Sequence, residues 1–147
     1  MIDLIEYSKI LPIWQQFLWP GRIDIKNMSS MQYLSGYDVK IYNRYTPYFF
    51  AYYIDNNIVG INSAHKSSQT EFRSRGLYVF DEYRNKGIGK QLLEYTVKLG
   101  KIEGCEYCWS VPRKTALSTY LSAGFEKSSE FFKTDTSDEN CYAIIKL

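Results

Sequence analysis

Nothing in this chain approaches the ~20 consecutive apolar residues that span a bilayer. Its first residues, Met1 to Glu6, lack the basic start and apolar run of a secretion signal. A soluble, cytoplasmic protein with no membrane partner is therefore expected. Cysteine is scarce: Cys105, Cys108 and Cys141 are an odd count, which argues against a disulfide framework. Cys105 and Cys108 form a C-x-x-C, but no second pair completes a zinc site. The stretch from Glu106 to Val111 reads as a strand, in which positions three apart face opposite sides. Buried structural thiols are the expectation, with no metal site. A surplus of one charge is also missing. The formal net charge of +2 is too small and too evenly spread to argue for nucleic acid. Repeats, low-complexity tracts and linkers are absent as well, so residues 1–147 read as one domain.

What the chain has in quantity is apolar and aromatic residues, 45% and 17% of the whole, enough to bury a core. Tyrosine leads, with 14 against 8 Phe and 3 Trp; its apolar body and polar tip suit half-buried edges and cleft walls. Met1 to Glu6 suits a short first strand. Ser8 to Leu18 places Ile10, Leu11, Trp14, Phe17 and Leu18 at helical spacing, with Pro12 near the start and Trp19-Pro20-Gly21 as the stop. A second short helix is expected from Ser29 or Ser30 to Leu34, closed by Gly36. Tyr48 to Ile54, the turn residues Asp55-Asn56-Asn57, and Ile58 to Ala64 predict a hairpin. Glu71 to Phe80 predicts a strand, with Gly76 marking a bulge. Gly87 to Lys101 is helical, since Ile88, Leu92, Tyr95 and Leu99 share one face. A strand at Tyr107 to Val111 and a short helix through Ala116, Leu117, Tyr120 and Leu121 follow, stopped by Gly124. Two last strands, Phe125 to Lys133 and Cys141 to Leu147, flank the turn-rich Thr134 to Asn140. Together these elements make an α/β arrangement with helices on both faces.

Chemistry concentrates in one segment. A strand ending at Leu77-Tyr78-Val79 runs through a short polar loop into Arg84-Asn85-Lys86-Gly87-Ile88-Gly89-Lys90, the glycine-rich entry of an amphipathic helix. The first turn of a helix has unpaired N–H groups and partial positive charge, so it can hold an anion. Gly87 and Gly89 let a pyrophosphate approach those amides, and Arg84, Lys86 and Lys90 add full charges. An ordinary strand-to-helix turn with solvated lysines is the competing reading, against which stand two glycines costing about 1 kcal/mol each in a helix. Nucleotide fingerprints do not fit. The P-loop pattern lacks its first glycine and its Ser/Thr, and Leu92 stands where a dinucleotide motif needs a third glycine.

Val79, Arg84, Gly87, Gly89 and Leu92 match, position by position, the cofactor motif of the GNAT superfamily of N-acetyltransferases. Ala116, Tyr120, Gly124 and Phe125 match that family's second block, A-x-x-x-Y-x-x-x-G-F. The chain thus resembles the family over about its C-terminal half. The resemblance implies an α+β mixed, GNAT-like fold: a central mixed, mostly antiparallel sheet of about six to seven strands with helices on both faces. It implies acetyl-CoA as co-substrate, its pantetheine arm beside Tyr78 and Val79 and its pyrophosphate on the amides from Arg84 to Gly89. Where many members carry Asn seven residues before the tyrosine, this chain has Arg113, which can reach a phosphate or the pantetheine carbonyls. Two copies could pair as a homodimer.

Acetyl transfer to an amine needs a base, an oxyanion site and an acid. By similarity, backbone N–H groups near Tyr78 and Val79 polarise the thioester. Tyr120 is the candidate acid, since a thiol of pKa about 8.5 leaves more easily when a phenol of pKa about 10 is positioned to protonate it. Three sources of base are open. Glu71, thirteen residues before Arg84, stands where some protein-acetylating members carry a base glutamate. His65 has a suitable pKa, although a lone histidine after a strand is more often a surface residue. Water chains are the third. The rings of Tyr37, Tyr42, Tyr45, Tyr48, Phe49 and Tyr52 read equally as a packed sheet face or as the wall of an amine site. The acceptor is a primary amine, of a small molecule or of a protein; a non-catalytic acyl-CoA-binding module is the alternative from another class.

Overall fold

The computed structural model describes residues 1–20, 45–133 and 138–147. The helix expected near Ser29 to Leu34 and the rings of Tyr37 and Tyr42 lie outside them. Among the described residues the chain runs β1 (Ile2–Leu4), α1 (Tyr7–Ile13), a π-type turn (Trp14–Leu18), β2 (Tyr48–Ile54), β3 (Asn57–Lys66) and β4 (Glu71–Val79). Then come α2 (Ile88–Ile102), β5 (Tyr107–Ser110), α3 (Leu117–Ser122) and the short strands β6 (Glu126–Lys127), β7 (Phe132–Lys133), β8 (Glu139–Asn140) and β9 (Ala143–Lys146). Seven strands form one sheet in the order β1-β2-β3-β4-β5-β9-β6, and β7 pairs with β8 apart from it. Every pair in the sheet is antiparallel except β4 with β5. That parallel pair is joined by α2, as a parallel crossover requires. No helix of the described residues is long and apolar enough to cross a membrane.

The hairpin follows from its turn. Asp55 and Asn56 both take positive φ, 49° and 65°, which Asp and Asn tolerate and which a two-residue turn between right-twisted strands demands. Apolar residues then divide between two layers. Phe50, Val59, Phe72, Leu92, Leu93, Tyr120 and Phe125 are buried on the side of α2 and α3, while Ile10, Trp14, Phe49, Ala51 and Ile61 are buried under α1. Helices therefore cover both faces.

β4 changes its allegiance midway. Ile61 pairs with Tyr78 and Ser63 with Arg75, so Gly76 and Leu77 together oppose Asn62. The extra residue is the bulge, and Gly76 takes it up at φ +84°. Trp14 lies flat against the vacancy: a Cβ on Gly76 would come within 2.5 Å of the indole, whose Nε1 donates to the Gly76 carbonyl at 2.9 Å. Before the bulge, Phe72 and Ser74 face α2 while Arg73 and Arg75 face away; after it, Leu77 and Val79 face α2 and Tyr78 faces α1.

Several boundaries differ from the sequence pattern. Phe125 to Lys133 is two short strands separated by a bend, since Glu126–Lys127 pairs with β9 whereas Phe132–Lys133 pairs with β8, which falls inside the expected turn. Cys105 precedes β5 and does not lie on it, so Cys105 and Cys108 share the α2-side core instead of facing apart. All three cysteines are free and buried, and burial pushes each thiol up.

Candidate active site

β4 and β5 begin side by side, with Glu71 opposite Tyr107 and Arg73 opposite Trp109, and their pairing ends there. Beyond that point the edge of β4 from Arg75 to Val79 has no strand partner on the β5 side among the described residues. Two connected clefts occupy the gap. The smaller, about 290 Å³, is walled by Arg73, Ser74, Arg75, Ser110, Arg113 and Tyr120 among others. The larger, about 690 Å³, runs along Leu77, Tyr78 and Val79 to the start of α2 and is closed by residues of α3, including Thr119. Leu18, Leu77, Arg113 and Ala116 border both.

At the far end of the larger cleft, α2 begins at Gly87, whose φ of +78° suits glycine. The amides from Asn85 to Lys90 donate to no other backbone carbonyl among the described residues, so the positive end of α2 opens into the cleft. The two glycines have separate reasons. Gly87 is conformational; a Cβ there would meet nothing within 4 Å. Gly89 is steric, because a Cβ would come within 2.8 Å of the Thr119 methyl. Close approach of α2 and α3 thus adds a reason to the one expected for Gly89. Arg84, Asn85, Ile88, Gly89 and Lys90 line this cleft, as do Tyr78 and Val79, whereas Lys86 stands over the Tyr83 ring and does not. Arg84 closes the turn: its Nε donates to the Val79 carbonyl at 2.8 Å and its Nη1 meets Asp81 at 3.0 Å. Arg113 is likewise held, donating to the Leu18 carbonyl at 2.7 Å and pairing with Asp138 at 3.3 Å.

Tyr120 stands at the back of the smaller cleft, 3% exposed. Its hydroxyl lies 3.0 Å from Ser110 Oγ and 3.3 Å from Ser74 Oγ. Counting protons gives these contacts a direction. Ser110 gives its one hydroxyl proton to the Ser74 carbonyl at 2.8 Å, so toward Tyr120 it can only accept. Ser74 Oγ accepts from Asn62 Nδ2 at 2.9 Å, which leaves its own proton for the Tyr120 oxygen. Burial raises the phenol's pKa, and the two serines oppose that rise. Sequence reading had no hold on Ser74, Ser110 or Asn62. Their signal is a run of small polar residues at core-facing positions of three adjacent strands, visible only once the register is known.

The two candidate bases stand elsewhere. Glu71 accepts from the Tyr107 hydroxyl at 2.9 Å and from Ser67 at 3.4 Å, and it lines neither cleft. His65 is fully buried, contrary to the surface position expected for it, because β3 continues to Lys66 and turns His65 inward. Its pKa is lowered to about 3 by burial first and then by Arg73 and Arg75. Of the aromatic cluster, Tyr48, Phe49 and Tyr52 pack in the two core layers.

A family model described as an acetyltransferase (GNAT) domain matches residues 46–127. Among solved structures, Ard1 from Thermoplasma volcanium superposes with a TM-score of 0.75 at 15% identity, covering 100% of this chain and 97% of that one. An aminoglycoside 6'-N-acetyltransferase complexed with coenzyme A gives 0.74 at 11% identity, over 99% and 96%. An IAA acetyltransferase from Bacillus cereus gives 0.73 at 15% identity, over 100% and 99%. At these identities the likeness is one of fold. A search of curated proteins finds no match.

Proposed function

The chain belongs to the GNAT acetyltransferase family, and we propose that it moves an acetyl group from acetyl-CoA to the primary amine of a small molecule. One observation carries this reading. The partnerless edge of β4 joins the Tyr120 hydroxyl, at one end of a continuous gap, to the free amides of α2 at the other. Those groups fit a long amide-bearing ligand with a pyrophosphate at its far end. An extended edge accepts such an arm as it would an added strand, and the helix start with Lys90 accepts the anion.

Bound there, acetyl-CoA supplies an activated acetyl group. The Phe80 N–H donates to the Val59 carbonyl of β3, so alternation along β4 turns the Val79 N–H toward the gap, where it is the candidate donor to the thioester carbonyl oxygen. Burial keeps Tyr120 protonated at neutral pH; rotation of its O–H away from Ser110 delivers that proton to the departing sulfur. The Ser74 hydroxyl then stabilises the charge left on the phenol oxygen. As the amine nitrogen bonds to the acetyl carbon, the carbon–sulfur bond breaks. The nitrogen gives up a proton, sulfur gains one from Tyr120, and Tyr120 recovers one from solvent. With Glu71 and His65 outside both clefts, water in the gap takes the amine's proton.

Acetyl-CoA at millimolar concentration is expected to raise the melting temperature, and the protein to release thiol with amines. Tyr120→Phe should keep the stabilisation and lower turnover by about 10²–10⁴-fold. A melting curve unmoved by acetyl-CoA removes the proposal.

A further inference from the structure

Beneath Tyr120 lies a polar side chain that packing alone does not account for. Asn62 stands on β3, fully buried and opposite Phe50 of β2, on the face that packs against α2. Its Oδ1 meets no hydrogen-bond partner among the described residues, and a buried amide oxygen in that state costs free energy that an apolar side chain would not. Its Nδ2, by contrast, uses both protons: one on Thr96 Oγ1 of α2 at 3.0 Å and one on Ser74 Oγ of β4 at 2.9 Å. The amide cannot be turned over. Thr96 gives its own proton to the Leu92 carbonyl at 2.9 Å, so toward Asn62 it can only accept, and an amide oxygen there would face a lone pair. The Asn62 nitrogen is thereby fixed, and with it the side of Ser74 Oγ that it engages. The Ser74 proton is left to the Tyr120 oxygen at 3.3 Å. One chain of donors thus crosses from α2 through β3 and β4 to α3, and its direction is set at the Leu92 carbonyl.

We infer that Asn62 is a positioning residue for acetyl transfer, acting through Ser74 to hold a hydrogen-bond donor on the Tyr120 oxygen. The inference rests on the acetyl-transfer reading above, in which Tyr120 protonates the departing sulfur. The bonds made and broken are those already given, and neither Asn62 nor Ser74 takes part in them. As the Tyr120 proton leaves for sulfur, the phenol oxygen gains charge at a buried position, where a fixed donor counts most. Without Asn62 the Ser74 hydroxyl is free to turn and accept the Tyr120 proton itself. That rotation would hold the proton in the core, away from the cleft, and leave the phenol oxygen with no donor.

The test is thiol release from acetyl-CoA with the best acceptor among glycine amide, phenylethylamine, glucosamine and spermidine. Asn62→Leu and Ser74→Ala are compared, each alone and each combined with Tyr120→Phe. With Tyr120 present, either change is expected to lower kcat about tenfold or more, the scale of one hydrogen bond to a charged group. KM for acetyl-CoA, and the rise in melting temperature on adding it, should stay in place. In Tyr120→Phe, which has no phenol oxygen to receive the donor, neither change should lower kcat further by more than about twofold, the spread of independent sites. An equal fall in both backgrounds overturns the inference, since that is what a merely structural asparagine or serine gives. An unchanged kcat with Tyr120 present overturns it as well. Either result leaves acetyl transfer standing. If Tyr120→Phe itself keeps full turnover, or acetyl-CoA stabilises the protein but no amine yields thiol, the reading and the inference fall together.

Discussion

His65 is sealed beneath the α1-side layer with neither ring nitrogen hydrogen-bonded among the described residues. The unfolded chain takes up a proton at this residue below about pH 6.5, whereas the folded chain resists until about 3. Because the unfolded state then binds more protons, stability falls as pH falls through that window, by up to about 1.4 kcal/mol per pH unit from this group alone. His65→Leu should flatten the fall: denaturant midpoints of the two proteins should diverge from pH 6.5 down to 4, with the variant the more stable at the acid end. Parallel pH curves would count against this account. The residue also marks a limit of sequence reading. A lone histidine at the end of an apolar run looks exposed until the strand is seen to continue for two more residues. Tyr120 was legible because a spaced motif surrounds it. The serines that set its proton were not, since a hydroxyl in a strand acquires meaning only from its cross-strand neighbours.

At the level of elements, period and length decided what could be read. α2 announces itself by apolar residues on one face over fifteen positions, and the β2–β3 hairpin by its two-residue turn. β6, β7 and β8 have two residues each, too few for any alternation to register. The bulge was marked by Gly76, but which face each half of β4 serves depends on packing against Trp14. Packing likewise adds to the meaning of Gly89. Alanine in a helix is ordinarily better than glycine by about 1 kcal/mol, yet here its methyl would press on Thr119. Gly89→Ala is expected to lower the melting temperature and weaken acetyl-CoA binding, and Thr119→Ser in the same chain, by removing the opposed methyl, should recover most of both losses. A double variant no better than the single one would mean that the glycine serves ligand approach alone.

At the scale of the molecule, among the described residues, the parting of β4 from β5 opens the sheet in its interior. The alternation of strands and helices made the α/β architecture readable in advance, but a gap is a relation between two strands and has no signature in either. Its consequence reaches past catalysis. Natural sheets shield their outermost strands because a bare edge is a template for another chain; here a bare edge lies inside the sheet, on its fourth strand of seven. At a hundredfold excess over its Kd a ligand adds about 2.7 kcal/mol of stability, but covering the template should do something more. Incubated below its melting temperature, the free protein should scatter light earlier than the protein with CoA, and by more than matched stabilisation with an osmolyte achieves. Equal scattering at equal stability would reject this. On the proposed reading, acetyl-CoA or CoA in the gap would then act as a chaperone for the enzyme, and their supply would set how much of the protein stays in solution.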